Sequence, residues 1–431
     1  MPPSDYSLTS LYSVPGDPGP ATEDGTVRFL QLAARAFAAV DEAPARIEGG
    51  IAQLAAQFGF HADCTATATA VFLTVSRGDR QWTEVIRVHP SGPDFAKAVA
   101  LHRLLRRVSD GELSPDDGAE RLARLLEWRG TGSALATIVA SALLSVSAGL
   151  LLRAEGGELA LAVGLGAAVG LALVAVSTRE HLEPLAPVVL AAVAAFVAFS
   201  AKSWHLDTVR PMPLLIASLV IFLPGWRLTV AMTELAQGHW TSGAGRFLAA
   251  ITTLLLLIVG VVAGQEAARS SEDLALQSSV TLPATARVVS PLLAGLAMTH
   301  LFRARRRDAW WITAMCVLTS LASFLSGRWL GPTASAFVGA FTAMAVGALV
   351  ARRLDLPYPV LQQPATVLLV PGSIGFVSMS SLLDRNVSGA IQTGFQMLFV
   401  ALTLALGAMT AQVALRPLTS APQRSARRER P

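Results

Sequence analysis

The chain has 431 residues, 52% of them hydrophobic and only 15% charged, against roughly 25% charged in an average soluble domain. That excludes a disordered chain, a collagen-like repeat and a disulfide scaffold, and sets the chain apart from ordinary soluble enzymes. The charge is uneven: residues 1–130 hold 30 of the 64 Asp, Glu, Lys and Arg and sum to −4, whereas the remaining 301 residues sum to +8. A soluble head followed by a membrane-embedded body is the expectation.

In chain order, residues 1–26 are rich in Pro, Ser, Gly and Asp and read as a disordered leader, with no signal peptide. A helix is expected around Val27–Val40. Pro44 separates it from a second, where Ile47, Ile51, Leu54, Ala55 and Phe58 recur at helical spacing. Thr65–Val75 reads as a strand, Arg77-Gly78-Asp79 as its turn and Trp82–Val88 as the returning strand. Helical period returns over Pro93–Val108. At Ser114-Pro115-Asp116-Asp117 the serine caps a last helix, proline takes its first position and the acids face the positive end of the dipole. Residues 27–130 are therefore expected to form a small cytoplasmic α/β domain. His61, Asp63, Cys64, His89 and His102 invite a catalytic reading. Chain neighbours rarely form a triad, however, and the domain has no phosphate loop and no ligand-spaced His/Cys/Asp cluster. Cys64 and Cys316 lie too far apart in sequence and in segment type to suggest a disulfide or a metal site.

Ten apolar stretches follow, centred in 133–152, 159–176, 185–201, 213–228, 244–264, 288–302, 309–326, 333–350, 365–380 and 390–413. With the head inside, the inner loops and the basic tail (416–431) carry 14 Lys and Arg and the outer loops 7. The positive-inside rule thus favours ten spans with both termini cytoplasmic. His300 is the one histidine inside an expected span, and Trp310, Trp311 and Trp329 read as interfacial belt residues.

Residues 223–247 and 370–395 repeat each other weakly. Pro224-Gly225 matches Pro371-Gly372, Met232 matches Met379, Leu235 matches Leu382, and Ser242-Gly243 matches Ser388-Gly389 after a one-residue gap. Each copy joins the fourth and fifth helix of a five-helix half (131–265 and 266–415), and five being odd, the halves insert upside down relative to one another. Pro-Gly inside an apolar stretch frees backbone groups, which membrane depth tolerates only against protein or a water-filled cavity. Paired broken helices of this kind point to a transporter site whose helix ends meet the carboxylate and ammonium of a small zwitterion. The substrate-binding candidates are Pro224, Gly225, Ser242, Gly243, Arg246, Pro371, Gly372, Ser373 and Gly375. Glu234 and Asp384, ionisable groups close to the breaks, are the proton-coupling candidates, and Arg246 has either Glu234 or a substrate carboxylate as its partner.

The chain resembles the bacterial threonine/serine exporter family from about residue 27 to 416. The resemblance lies in Pro44-Ala45-Arg46-Ile47-Glu48, the Thr-rich run at 65–71 and the helix after Ser114. It continues through Leu223-Pro224-Gly225-Trp226 with Glu234, Gly238, Ser242-Gly243 and Arg246, then Val370–Gly375 and Ser388-Gly389. It implies a cytoplasmic head, a ten-helix body in the bacterial inner membrane, and proton-driven export of L-threonine and L-serine. The expected partners are a small amino acid, protons and the bilayer, with no nucleic acid, cofactor or metal; a homo-oligomer is left open. Two other readings stand beside it: a membrane-anchored hydrolase with its chemistry in the head, and an exporter or channel for another small metabolite.

Overall fold

The computed structural model describes residues 22–88, 92–128, 132–154, 156–177, 179–204, 206, 209–269, 284–369, 372–383 and 386–419. Most of the expected leader, His89, Pro371, Asp384 and the end of the basic tail lie outside the described residues. The head runs α1 (Glu23–Ala39), α2 (Pro44–Gln57), β1 (His61–Ala66), β2 (Ala70–Arg77), β3 (Arg80–Arg87), α3 (Phe95–Ser109) and α4 (Pro115–Glu127). The strands form one antiparallel sheet in the order β1-β2-β3. The run read as one strand from Thr65 is two. Thr67 turns the chain: its N–H donates to Ala70 O (2.8 Å) and its hydroxyl accepts from Ala70 N (3.0 Å), the local side-chain bonding that lets threonine interrupt a ladder. Val71, Leu73 and Val75 of β2 point inward, into one buried cluster with Phe29, Leu30 and Ala33 of α1 and Leu101 of α3. At the start of α4 the Ser114 hydroxyl accepts from Asp117 N (3.1 Å).

The body comprises α5 (Ala134–Leu151), α6 (Gly156–Val176), α7 (Ala186–Ser200), α8 (Pro211–Leu219), α9 (Gly225–Ala236), α10 (Trp240–Ala267), α11 (Ala284–Leu301), α12 (Ala309–Arg353), α13 (Pro359–Val367), α14 (Gly372–Leu383) and α15 (Val387–Thr419). Among the described residues, 8 helical stretches are long and apolar enough to cross a membrane. Two of them are the halves of α12, which bends at Gly331 (φ 81°, ψ 173°), a backbone conformation open essentially to glycine alone. The stretch around 213–228 is not one helix but two short ones, and α11 carries Arg287, Ser290, Pro291, Thr299 and His300 within 18 residues. Neither of these two stretches is among the 8, whereas Pro359–Ser381, which holds α13 and most of α14, is.

Helix α10 packs along α7, α15 along α12, and α5 against α11. In the last contact Ser147 and Ser290 each donate to the other's carbonyl at 2.9 Å, and the Thr137 hydroxyl lies 3.1 Å from His300 Nε2. One helix rises through these pairs as the other falls, so the two run antiparallel. Hydroxyls replace the large side chains that would hold the backbones apart, and satisfy one another where water is excluded.

Candidate functional site

Helix α8 ends at Leu219, and the chain turns, with Phe222 N donating to Leu219 O (2.9 Å). It resumes a helix at Gly225 behind Pro224, which takes the N-cap position with no side-chain cap. Proline cannot donate, and the first-turn amides of α9 have no acceptor within their own helix. In the second copy, on either side of residues 370–371, α13 closes with Leu369 N donating to Thr366 O (2.9 Å), and α14 runs from Gly372. The pieces match in length, 9 and 12 residues in the first copy and 9 and 12 in the second.

The two breaks touch. A Cβ placed on Gly372 would stand 3.1 Å from Gly225 N and 3.2 Å from Gly225 Cα, so backbone meets backbone. Both α9 and α14 begin at this crossing. Two helix N-termini, each carrying about half a positive charge, therefore converge on one buried point. Ser373 follows, half-buried, on the first turn of α14. Gly375 has a different surrounding: its Cβ would meet Leu254 at 3.1 Å and crowd Met397, so it lets α14 wedge between α10 and α15.

Glu234, Ser242, Gly243 and Arg246 are assembled elsewhere, at the opposite end of α9. Nine residues of helix separate Glu234 from Gly225, about 13 Å along the axis. Glu234 is 2% exposed. Arg246 Nε stands 3.0 Å from its Oε1, close enough for an ion pair but too oblique for a well-formed hydrogen bond. The buried Ser242 hydroxyl borders the same carboxylate. Gly243 brings α10 close to α9, its Cβ position lying 2.9 Å from Ala231 O. The other side of Arg246 is occupied by the head: its Nη2 donates to Asp41 Oδ1 at 2.9 Å.

The head docks through further contacts. His239 Nδ1 lies 3.9 Å from Glu48 Oε1, and Ala68 sits under Gly245. Phe95 N and Ala96 N donate to the carbonyls of Phe302 and Arg303 (3.0 and 3.2 Å). Arg46 covers the Tyr358 ring at 4.5 Å, and Asp355 accepts from Arg106 (2.7 Å) with Arg103 and His102 beside it. Burial lowers the His102 pKa, with help from Arg46, Arg106 and Arg103 and against the pull of Asp355.

In the head, His61 and Asp63 lie 3.5 Å apart on the exposed face of the sheet. Cys64 alternates to the other face, where burial first and Glu48 second push its thiol up to about 11. It is a protonated, poorly nucleophilic thiol at neutral pH. Two features escape sequence reasoning. Asp41 is one of them, since nothing local marks it as a partner of a residue 205 positions away. The other is Glu158, fully buried, which takes Arg210 Nε (2.9 Å), Nη2 (2.8 Å) and backbone N (2.7 Å) and so fastens the start of α8 to α6. An acid at the mouth of an apolar stretch was the available signal.

These features define a multi-pass helical membrane protein whose N-terminal helices and sheet contact its apolar helices, two of which are interrupted at one crossing. The chain belongs to the threonine/serine exporter (ThrE) family: one family model for that exporter matches residues 28–267, and a second matches residues 287–414. No curated protein and no solved structure gives a significant match.

Proposed function

We propose that the chain is a secondary transporter that exports L-threonine and L-serine by alternating access in exchange for protons. It works in the bacterial inner membrane with both termini in the cytoplasm. The body has ten spans in two inverted halves, 131–265 and 266–415, behind a cytoplasmic α/β domain at 27–130 and ahead of a basic tail at 416–431. The matched 9- and 12-residue pieces and the antiparallel packing of α5 on α11, the first helix of each half, support the inversion. The head touches the α9–α10 turn, residues 302–303 and residues 355–358, all segments that the arginine bias assigns to the inside.

The substrate carboxylate binds at the amide ends of α9 and α14, around Pro224-Gly225 and Pro371-Gly372, and Ser373 meets the substrate hydroxyl. The carbonyl ends of α8 and α13 offer the opposite dipole to the ammonium. Gly375 contributes by close packing. Ser242, Gly243 and Arg246 serve Glu234, which carries the proton; Asp384 is the second half's candidate for the same task. A carboxylate 2% exposed, with one oblique arginine as its ion-pair partner, is costly while charged, which suits a group that must take up and release a proton. The contact of Gly225 with Gly372, in a chain of exporter family, is the observation that carries the reading. Labelled threonine efflux from proteoliposomes under an imposed pH gradient tests it. Gradient-dependent efflux above empty vesicles is expected, and its absence would overturn the proposal.

A further inference from the structure

We infer that Asp41 of the head is a positioning residue for proton exchange at Glu234, and that the head's grip on the membrane body follows the charge on Glu234. The inference rests on the reading of Glu234 as the proton carrier. One guanidinium serves two acids. Arg246 Nη2 makes a 2.9 Å hydrogen bond to Asp41, while Nε only approaches Glu234, at 3.0 Å and out of line. All three side chains are largely buried, Arg246 and Asp41 at 17% and 25% side-chain exposure. An arginine in that position is not screened by solvent, so what one acid loses the other gains.

Asp41 is set for this purpose by the backbone. It ends α1 in the left-handed region (φ 56°), with its N–H donating to Ala38 O (3.2 Å), a conformation that Asp and Asn tolerate better than most residues. The tight turn delivers its carboxylate to α10. The charged and titratable groups facing Glu234 are Arg246 from α10, His239 from the α9–α10 turn, Asp41 from the α1–α2 turn, and Glu48 of α2 by way of His239; of the other helices packed on α9, α13 and α14 carry no charged residue and α15 only Arg416, in its last turn. With Glu234 charged, Arg246 is divided between two acids. With Glu234 neutral, Arg246 belongs to Asp41 alone and the head clamps the α9–α10 turn. By keeping Arg246 partly engaged, Asp41 leaves Glu234 free to accept a proton.

Two measurements on the full chain test this. In proteoliposomes, Asp41→Asn preserves the turn but commits Arg246 to Glu234. Gradient-driven threonine efflux should fall about tenfold and its pH profile should move to lower pH, and Asp41→Glu should restore much of both. In lipid nanodiscs without substrate, Glu234→Gln should slow amide hydrogen exchange over residues 38–48 by about fivefold, and Asp41→Asn should speed it. An unchanged pH profile in Asp41→Asn overturns the inference while wild-type flux leaves the transport reading standing. Wild-type vesicles without gradient-dependent flux sink that reading instead, and the exchange measurement then decides the coupling alone: unchanged exchange in Glu234→Gln overturns it.

Discussion

Enlarging Gly372 by a side chain tests the crossing of the broken helices. Its Cβ would lie 3.1 Å from Gly225 N, 3.2 Å from Gly225 Cα and 3.2 Å from Leu223 Cβ, tighter than ordinary van der Waals contact. The atoms in the way are mostly backbone, so no side chain can swing aside. Alanine requires the helix starts to separate by a few tenths of an ångström; valine adds two γ-carbons and requires more. Overpacking of this type costs about 1–3 kcal/mol. If that cost falls on the state in which both helix ends face the substrate, it corresponds to roughly 5- to 150-fold in flux, since 1.4 kcal/mol is tenfold. Efflux of labelled threonine from proteoliposomes reads the effect, with size-exclusion profiles confirming folded protein. Gly372→Ala should lose flux about fivefold to tenfold and Gly372→Val at least tenfold. Gly164→Ala on α6, with nothing within 4 Å of its Cβ position, is the control. Wild-type flux in Gly372→Val would refute the claim that this contact belongs to the transport site.

Three further outcomes follow from the same geometry. Glu158→Gln removes the charge partner of Arg210, whose side chain is 37% exposed and can still be solvated, so the loss should stay below the about 3–5 kcal/mol of a pair buried on both sides; thermal unfolding should shift down by a few degrees, and an unchanged Tm would show the pair to be dispensable. Cys64, held up to about 11, should react with maleimide at pH 7 far more slowly than a free thiol and overtake it only in strong alkali; rapid modification at pH 7 would contradict the assigned environment. His102 has a lowered pKa in the folded protein, from burial and despite the pull of Asp355, so the unfolded state binds more protons. Its contribution to stability is complete above its ordinary value near 6.5 and is lost as pH falls through that value towards the lower folded one. Protection of the amides of residues 95–109, relative to intrinsic exchange at each pH, should fall between pH 7.5 and 5.5 in wild type and less so in His102→Gln, and equal pH dependence in both would refute the assignment.

Sequence alone carried the local features well, for physical reasons that can be named. The helices of the head follow from apolar spacing and from Ser114 with Pro115, because caps and amphipathic faces act within a few residues. The break at Pro224-Gly225 was legible because proline removes a donor and crowds the preceding turn, although Pro291 inside α11 and Pro364 inside α13 show that proline alone does not end a helix. Thr67 was not legible as a turn, since its threonine-alanine surroundings favour a strand and only the hydroxyl's choice of backbone partner decides otherwise. Long-range pairings were out of reach. Arg246 carried a charge with several available partners, and nothing in the chain order distinguishes Glu234 alone from Glu234 shared with Asp41. Likewise the separation of Gly225 from Glu234 depends on α9 staying helical between them, which turns a nine-residue interval into two distinct places, one at the crossing of the breaks and one beneath the head.

Threonine counterflow tests the central claim most directly. Vesicles preloaded with unlabelled threonine and diluted into a trace of labelled threonine should accumulate label transiently above its equilibrium level, because a site open to one side at a time exchanges one molecule for another. Accumulation should be suppressed by serine and abolished by Gly372→Val. Label that merely equilibrates, as through an open pore, or that never enters above empty vesicles, would contradict a carrier built on the two broken helices.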